Sequence, residues 1–188
     1  MFSVNVDWLI FRAIGAASVR VFIERVDNMR QETLRLLDDQ QIAYVLVEHP
    51  AVYTIEEMEQ LELANLDQVV KNIFVRDDKK KRFFLVSVVK DKRVNLKELR
   101  TKLDSRPLSF ASEASLHELL KIDKGAVTPL GILNDKACKV EVVLDSELQT
   151  FDKVGIHPND NTATVWLSPS GLEQLVLNHG NKFTYVEI

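Results

Sequence analysis

A single α/β domain, built on a mixed, strongly curved, barrel-like β-sheet flanked by helices, is the fold that this sequence predicts. Three observations carry the expectation. The chain has 188 residues, 46% hydrophobic and 28% charged, with only 6 Gly and 5 Pro; that suits one domain with a real core and excludes disordered and fibrous classes. Strand-like apolar segments slightly outnumber helix-like ones. The two kinds alternate without the regular spacing of a doubly wound sheet, and no repeat, linker or low-complexity run marks a boundary.

The elements follow in order. Residues 1–28 are mostly apolar but interrupted by Asp7, Arg12, Arg20, Glu24 and Arg25. These charges break the stretch too often for a membrane span, and the uninterrupted apolar segment of a signal peptide is missing. The stretch reads either as an extra amphipathic helix, packed on the domain or on a partner, or as an extension upstream of a start at Met29. The domain itself is placed at residues 29–188. From Met29, Leu34, Leu36, Leu37 and Ile42 fit a short amphipathic helix, followed by a strand through IAYVLVEH that Pro50 ends. Thr54, three residues before Glu57, has capping-box spacing and opens a helix. KNIFVRDDKKKRFFLVSVV reads as a β-hairpin with a charged tip. Asn95 caps a helix, PLSFA is a short strand, and Ser112 caps the next helix. KVEVVLD, VGIHP and TATVWL are strands. Ser168, Pro169 and Gly180 bracket a helix, and KFTYVEI closes the chain as a strand.

Composition narrows the function. A net charge of -4 gives no global basic character, so DNA is not an expected partner and any RNA contact must use a local patch. The run RDDKKKR, with Lys79 to Arg82, is the one concentrated basic stretch; it is either a solvated hairpin tip or a phosphate contact. The single cysteine, Cys138, rules out an internal disulfide and a multi-cysteine metal site, and points to the reducing cytoplasm. His49, His117, His157 and His179 are scattered, without metal-ligand spacing, and no metal or other cofactor is expected.

Two loops are richer than a connection requires. KGAVTPLG sets Gly125, Thr128, Pro129 and Gly131 ahead of an apolar strand, a composition that can present backbone N–H groups to a carbonyl or a ribose. GIHPNDNT places His157, held extended by Pro158, before a polar turn; it can donate a hydrogen bond, relay a proton or merely satisfy the turn. The expectation is that both loops face one pocket. Lys71, flanked by Val69, Val70, Ile73 and Phe74, either holds an anion from a fixed direction or snorkels to water, and Asn72 points to the opposite face of the strand. There is no GxGxxG, no P-loop and no GxSxG elbow, so unaided reading stops at a pocket-bearing α/β domain.

The segments HPAVYTIEE, KNIFVRDDKKKRFFLVSV, LSFASEASLHELLKIDKGAVTPLGILND and HPNDNTATVWLSPSGLEQLV occur in an order that resembles the freestanding aminoacyl-tRNA editing domains of the YbaK/ProX family, relatives of the insertion domain of prolyl-tRNA synthetases. The resemblance runs from about Met29 to the C-terminus. Its specificity lies in a lysine before an asparagine, a G-x-x-x-P loop and an H-P…N-T-A-T segment in combination. It implies a deacylase that removes alanine from mischarged proline tRNA. Lys71 would position a phosphate or carbonyl group and His157 would orient the substrate or act in catalysis. Asn72 and the loop residues Gly125, Ala126, Val127, Thr128 and Pro129 would bind the terminal adenosine and the ester, with Thr54, Phe110 and Ser112 near the pocket mouth. The nucleophile would be a water helped by the substrate's own 2′-hydroxyl, with no metal. Implied partners are the acceptor end of proline tRNA and prolyl-tRNA synthetase, with no membrane. Deacylation of cysteinyl- or seryl-tRNA is the nearest alternative, and a non-catalytic module binding tRNA or an amino acid is the alternative from another class.

Overall fold

The computed structural model describes residues 16–61, 65–123 and 125–188, with side chains from residue 28 onward except that of Ile55. The readings of residues 1–15 and of Lys124 lie outside the described residues.

The chain opens with helix α1 (Ala16–Asp39) and strand β1 (Tyr44–Glu48), then helix α2 (Ile55–Glu59). The hairpin follows as β2 (Val70–Asp77) and β3 (Phe83–Val89), then helix α3 (Leu96–Lys102), strand β4 (Leu108–Phe110) and helix α4 (Glu113–Leu120). Strands β5 (Val140–Asp145), β6 (Val154–Ile156) and β7 (Ala163–Leu167), helix α5 (Pro169–His179) and strand β8 (Phe183–Val186) complete it.

Capping chemistry sets the helix starts as expected. The hydroxyls of Thr54, Ser112 and Ser168 accept from backbone N–H groups three residues on, as does the Asn95 carboxamide. Pro169 occupies the first helical position of α5, and Gly180 ends it at φ +103°. Helix α1 departs from expectation. It runs through Met29 from Ala16, so the boundary placed at residue 29 falls inside a continuous helix. From Met29 on it packs on the domain through Met29, Leu34, Leu36 and Leu37.

The expected barrel-like sheet is instead two open sheets. One has the order β1-β7-β6, all antiparallel; the other is mixed, in the order β4-β2-β3-β5-β8. Within the second, β2 pairs antiparallel with β3 and β4, and β3-β5-β8 run parallel. Among the described residues one isolated bridge, Val69 to Gly155, links the two sheets. Closure stops there because β6 is only three residues long and His157-Pro158 follows it, and proline offers no N–H to extend a ladder. The five-stranded sheet is covered on both faces. Val70, Phe74 and Leu85 join the main core with α1, α4, α5 and the smaller sheet, while Val75, Phe84, Val86 and Val88 pack under α3.

Candidate active site

The pocket lies where β2 leaves one sheet and enters the other. At the upstream end Val69 bridges Gly155; at the downstream end Val75 to Asp77 pair with β4. Between them, Val70 to Ile73 have no strand on that side among the described residues. Asp77 N–H donates to the Arg82 carbonyl at 3.0 Å, so alternate residues of β2 turn their backbone groups toward β3 and the others turn away. Phe74 is one of the latter, and its carbonyl accepts from Ala111 N–H at 2.9 Å. Two residues upstream, the N–H and C=O of Asn72 therefore face the gap. The gap is a cavity of about 740 Å³, within the size range of small-molecule sites.

Of the expected site residues, Lys71, Asn72, Gly125, Val127, His157, Thr54, Phe110 and Ser112 line this cavity. The two loops do face one pocket. Ala126, Thr128 and Pro129 do not line it. Thr128 and Pro129 are buried, with Thr128 capping a 3₁₀ turn at Pro129–Asn134. The Thr128 hydroxyl donates to the His157 carbonyl at 2.6 Å, which ties the glycine loop to the histidine loop from behind.

Lys71 and Asn72 separate as strand alternation requires. Asn72 pairs with Ser87, whose hydroxyl donates to Asn72 Oδ1 at 2.6 Å, leaving the Nδ2 donors on the pocket face. Lys71 pairs with Val88 on the α3 face, and its ammonium donates to the Lys92 carbonyl. The structure thus brings Asn72 and His157 to one cavity and holds the Lys71 charge on the other face of β2.

His157 keeps one edge open to the cavity. Its Nδ1 lies 2.8 Å from the Ala163 carbonyl. A carbonyl can only accept, so Nδ1 carries the proton and Nε2 is an acceptor. Burial, with His49 adding to it, lowers the His157 pKa from its ordinary 6.5, against the opposing effect of the Ala163 bond and Asp160. The two rings are 5.9 Å apart. His49 in turn bonds the Pro50 carbonyl through Nδ1 and, at 2.9 Å, accepts at Nε2 from the Thr164 hydroxyl.

The polar turn after His157 is held by α1. Asn159 Nδ2 donates to Thr33 Oγ1 at 3.0 Å, and Arg30 pairs with the buried Asp160 at 3.3 Å. Asp160 also accepts from the Thr162 N–H and hydroxyl. Sequence reading missed these braces, together with Ser87, Tyr53 and Gly155. Ser87 had a signal: a lone serine inside the apolar run FFLVSVV. Gly155 had none, since its need is the neighbouring indole; a Cβ there would lie 2.6 Å from Trp166 Cζ3.

Comparison with known proteins gives this geometry a context. Residues 49–175, more than half of the chain, match the family model described as aminoacyl-tRNA editing domain. The "Prolyl-tRNA editing protein ProX" of Acetoanaerobium sticklandii is 48% identical over 161 residues, covering 86% of this chain and 98% of that protein. The "Prolyl-tRNA synthetase associated domain-containing protein 1" of Xenopus laevis is 41% identical over 147 residues, covering 76% and 86%. A crystal structure described as a candidate trans-editing enzyme for prolyl tRNA synthetase superposes with a TM-score of 0.64 at 21% identity, covering 85% and 97%, and shares the fold. The chain belongs to the aminoacyl-tRNA editing family, the YbaK/ProX group of deacylases.

Proposed function

We propose that this chain is a trans-editing hydrolase that removes alanine from mischarged proline tRNA, using a positioned water and no metal. The observation that carries the reading is the unpaired half of β2. It offers Asn72, by backbone N–H and by a side chain that Ser87 orients, to the same cavity that the acceptor nitrogen of His157 lines.

An aminoacyl ester is already activated, so catalysis needs a water held near about 3 Å from the carbonyl carbon and donors aimed at the developing oxyanion. Asn72 supplies the donors. His157 Nε2, neutral under physiological conditions, accepts a hydrogen bond from the attacking water. The substrate's terminal 2′-hydroxyl assists, and the ester C–O bond breaks to leave free amino acid and a tRNA 3′-hydroxyl. A water is favoured as nucleophile because the nearby hydroxyls are committed elsewhere. Thr54 and Ser112 are helix caps, while Thr128 and Thr164 are fully buried. The Lys71 ammonium lies on the other face of β2, bonded to the Lys92 carbonyl, so in this reading it serves the terminal phosphate by leaving that carbonyl and swinging round the open edge of the strand.

The need for such an enzyme follows from sieving. A site built for a larger amino acid rejects a smaller one by only about 1–3 kcal/mol per missing methylene, and a second pocket that excludes the larger one sterically corrects the error. Partners in this reading are the acceptor end of proline tRNA and prolyl-tRNA synthetase.

The test is deacylation of alanyl-, cysteinyl- and seryl-tRNA, all on proline tRNA, by wild type and Lys71→Ala, with prolyl-tRNA as the spared control. Fast loss of alanine alone, abolished in the variant, supports the proposal. Faster loss of cysteine or serine reassigns the substrate, and no hydrolysis of any ester makes the chain a binding module.

A further inference from the structure

The rim of the cavity holds two large apolar side chains in water. Tyr53 is 60% exposed and Phe110 65% exposed, and both line the cavity. Among the described residues neither ring packs face or edge on another aromatic. Each is fixed at its backbone. Tyr53 N–H donates to Glu57 Oε2 at 2.6 Å, which anchors the residue just before α2. Phe110 is locked opposite Val75 at the end of β4. Gly125, at φ +91°, lies against the tyrosine; a Cβ there would stand 3.4 Å from Tyr53 Cδ1.

An apolar surface for another protein is contiguous, whereas here the polar Thr54, Ser112 and Glu113 share the rim with the two rings. Separate, open π-faces among polar groups suit nucleobases, every one of which has a face to stack. We propose that Tyr53 and Phe110 form a stacking subsite for the unpaired bases at the 3′ end of an RNA. The inference rests on the deacylase reading, because an ester whose acyl group occupies the cavity leaves its terminal nucleoside at this rim.

The probe is an uncharged RNA minihelix carrying 2-aminopurine as its terminal base, whose fluorescence is quenched on stacking. Tyr53→Leu and Phe110→Leu keep apolar bulk and lose the π-face; Tyr53→Phe and Phe110→Tyr keep the face. Each leucine variant is expected to lose quenching and to weaken RNA binding about 5- to 150-fold, the range that base–aromatic stacking spans. The KM for charged tRNA should rise alongside, with kcat at saturation little changed, the pattern of lost uniform binding. The conservative variants should bind and quench as wild type does. Unchanged quenching and KM in the leucine variants would overturn the subsite. So would equal losses in the conservative ones, which would trace the effect to packing. Because the minihelix carries no ester, quenching without any hydrolysis by wild type supports the subsite while removing the deacylase reading.

Discussion

From Val75 to Asp77, strand β2 is hydrogen-bonded to β3 on one side and β4 on the other, whereas from Val70 to Ile73, among the described residues, it pairs with β3 alone and borders the cavity. The residue types differ accordingly. The paired half carries Val75, fully buried, and Asp77, whose carboxylate accepts from Lys81 N–H to close the hairpin. The open half carries Lys71 and Asn72, polar residues at positions where a central strand would place apolar ones. A backbone edge inside a cavity demands partners, and a ligand is the partner such a gap is free to take. One strand thus serves as structure over half its length and as a binding edge over the other half.

One substitution in each half separates the two roles of the strand most strongly. Asn72→Ala should reduce deacylation per folded molecule about 100- to 1,000-fold, the cost of a lost oxyanion donor, and should also cost about 1–3 kcal/mol of stability, because the buried Ser87 hydroxyl loses its acceptor. Val75→Ala should cost about 2 kcal/mol of stability, the transfer of two methyl groups plus a partial cavity, and leave turnover per folded molecule intact. Initial rates and melting curves on both proteins check the pair, and an Asn72→Ala protein that turns over normally would sink the role of the open edge.

The other jaw of the gap is set by Gly155. In the register of β6 with β7 it faces Trp166, whose indole lies across the space a side chain would fill. Gly155→Ala should therefore cost about 1–3 kcal/mol through overpacking and, by shifting the bridge to Val69, widen the cavity mouth. Melting curves measure the first effect. The second would show as faster loss of the larger prolyl ester relative to alanyl.

The residues behind these three substitutions differ in how far the sequence reveals their roles. Helix starts at Thr54, Asn95, Ser112 and Ser168 were legible because a cap acts within three residues of itself. The opposed faces of Lys71 and Asn72 followed from strand alternation, and the meeting of the glycine and histidine loops from their excess of turn residues. What was not legible depends on distant partners. Nothing near Gly155 announces Trp166, nothing near Asn159 announces Thr33 of α1, and the split into two sheets turns on a three-residue strand stopped before Pro158. The direction of the Lys71 ammonium, toward the Lys92 carbonyl, is likewise a tertiary fact.

Protonation offers a gentler probe of the cavity wall. His157 has its pKa lowered from 6.5, chiefly by burial, so the folded protein keeps it neutral at a pH where the unfolded chain has begun to charge it. The unfolded state binds more protons in that window. The stability this histidine contributes is complete above pH 6.5 and declines as the pH falls below it toward the folded value. His157→Gln should flatten that part of the melting profile. With a neutral Nε2 as the required form, the acid limb of kcat/KM in the wild type should also lie below 6.5. A limb above that value would mean that a different group governs the rate.

The smallest effect is expected at the far end of the paired half, in the hairpin tip. Arg82 is not available there for RNA: its guanidinium forks onto Glu141 at 2.7 and 2.9 Å, bonds the Leu103 and Asp104 carbonyls, and lies over the Phe84 ring. Lys79, Lys80 and Lys81 remain exposed. Replacing all three with alanine should change stability by no more than about 0.5 kcal/mol per site, as for other surface changes. If the tip touches phosphates, the KM for full-length charged tRNA should rise, and its salt slope should fall by about one for each phosphate no longer neutralised. Hydrolysis of a minimal aminoacyl-adenosine should be untouched, because that substrate ends at the open half of β2. An unchanged salt slope would leave the tip as a solvated turn, with recognition confined to the cavity and its rim.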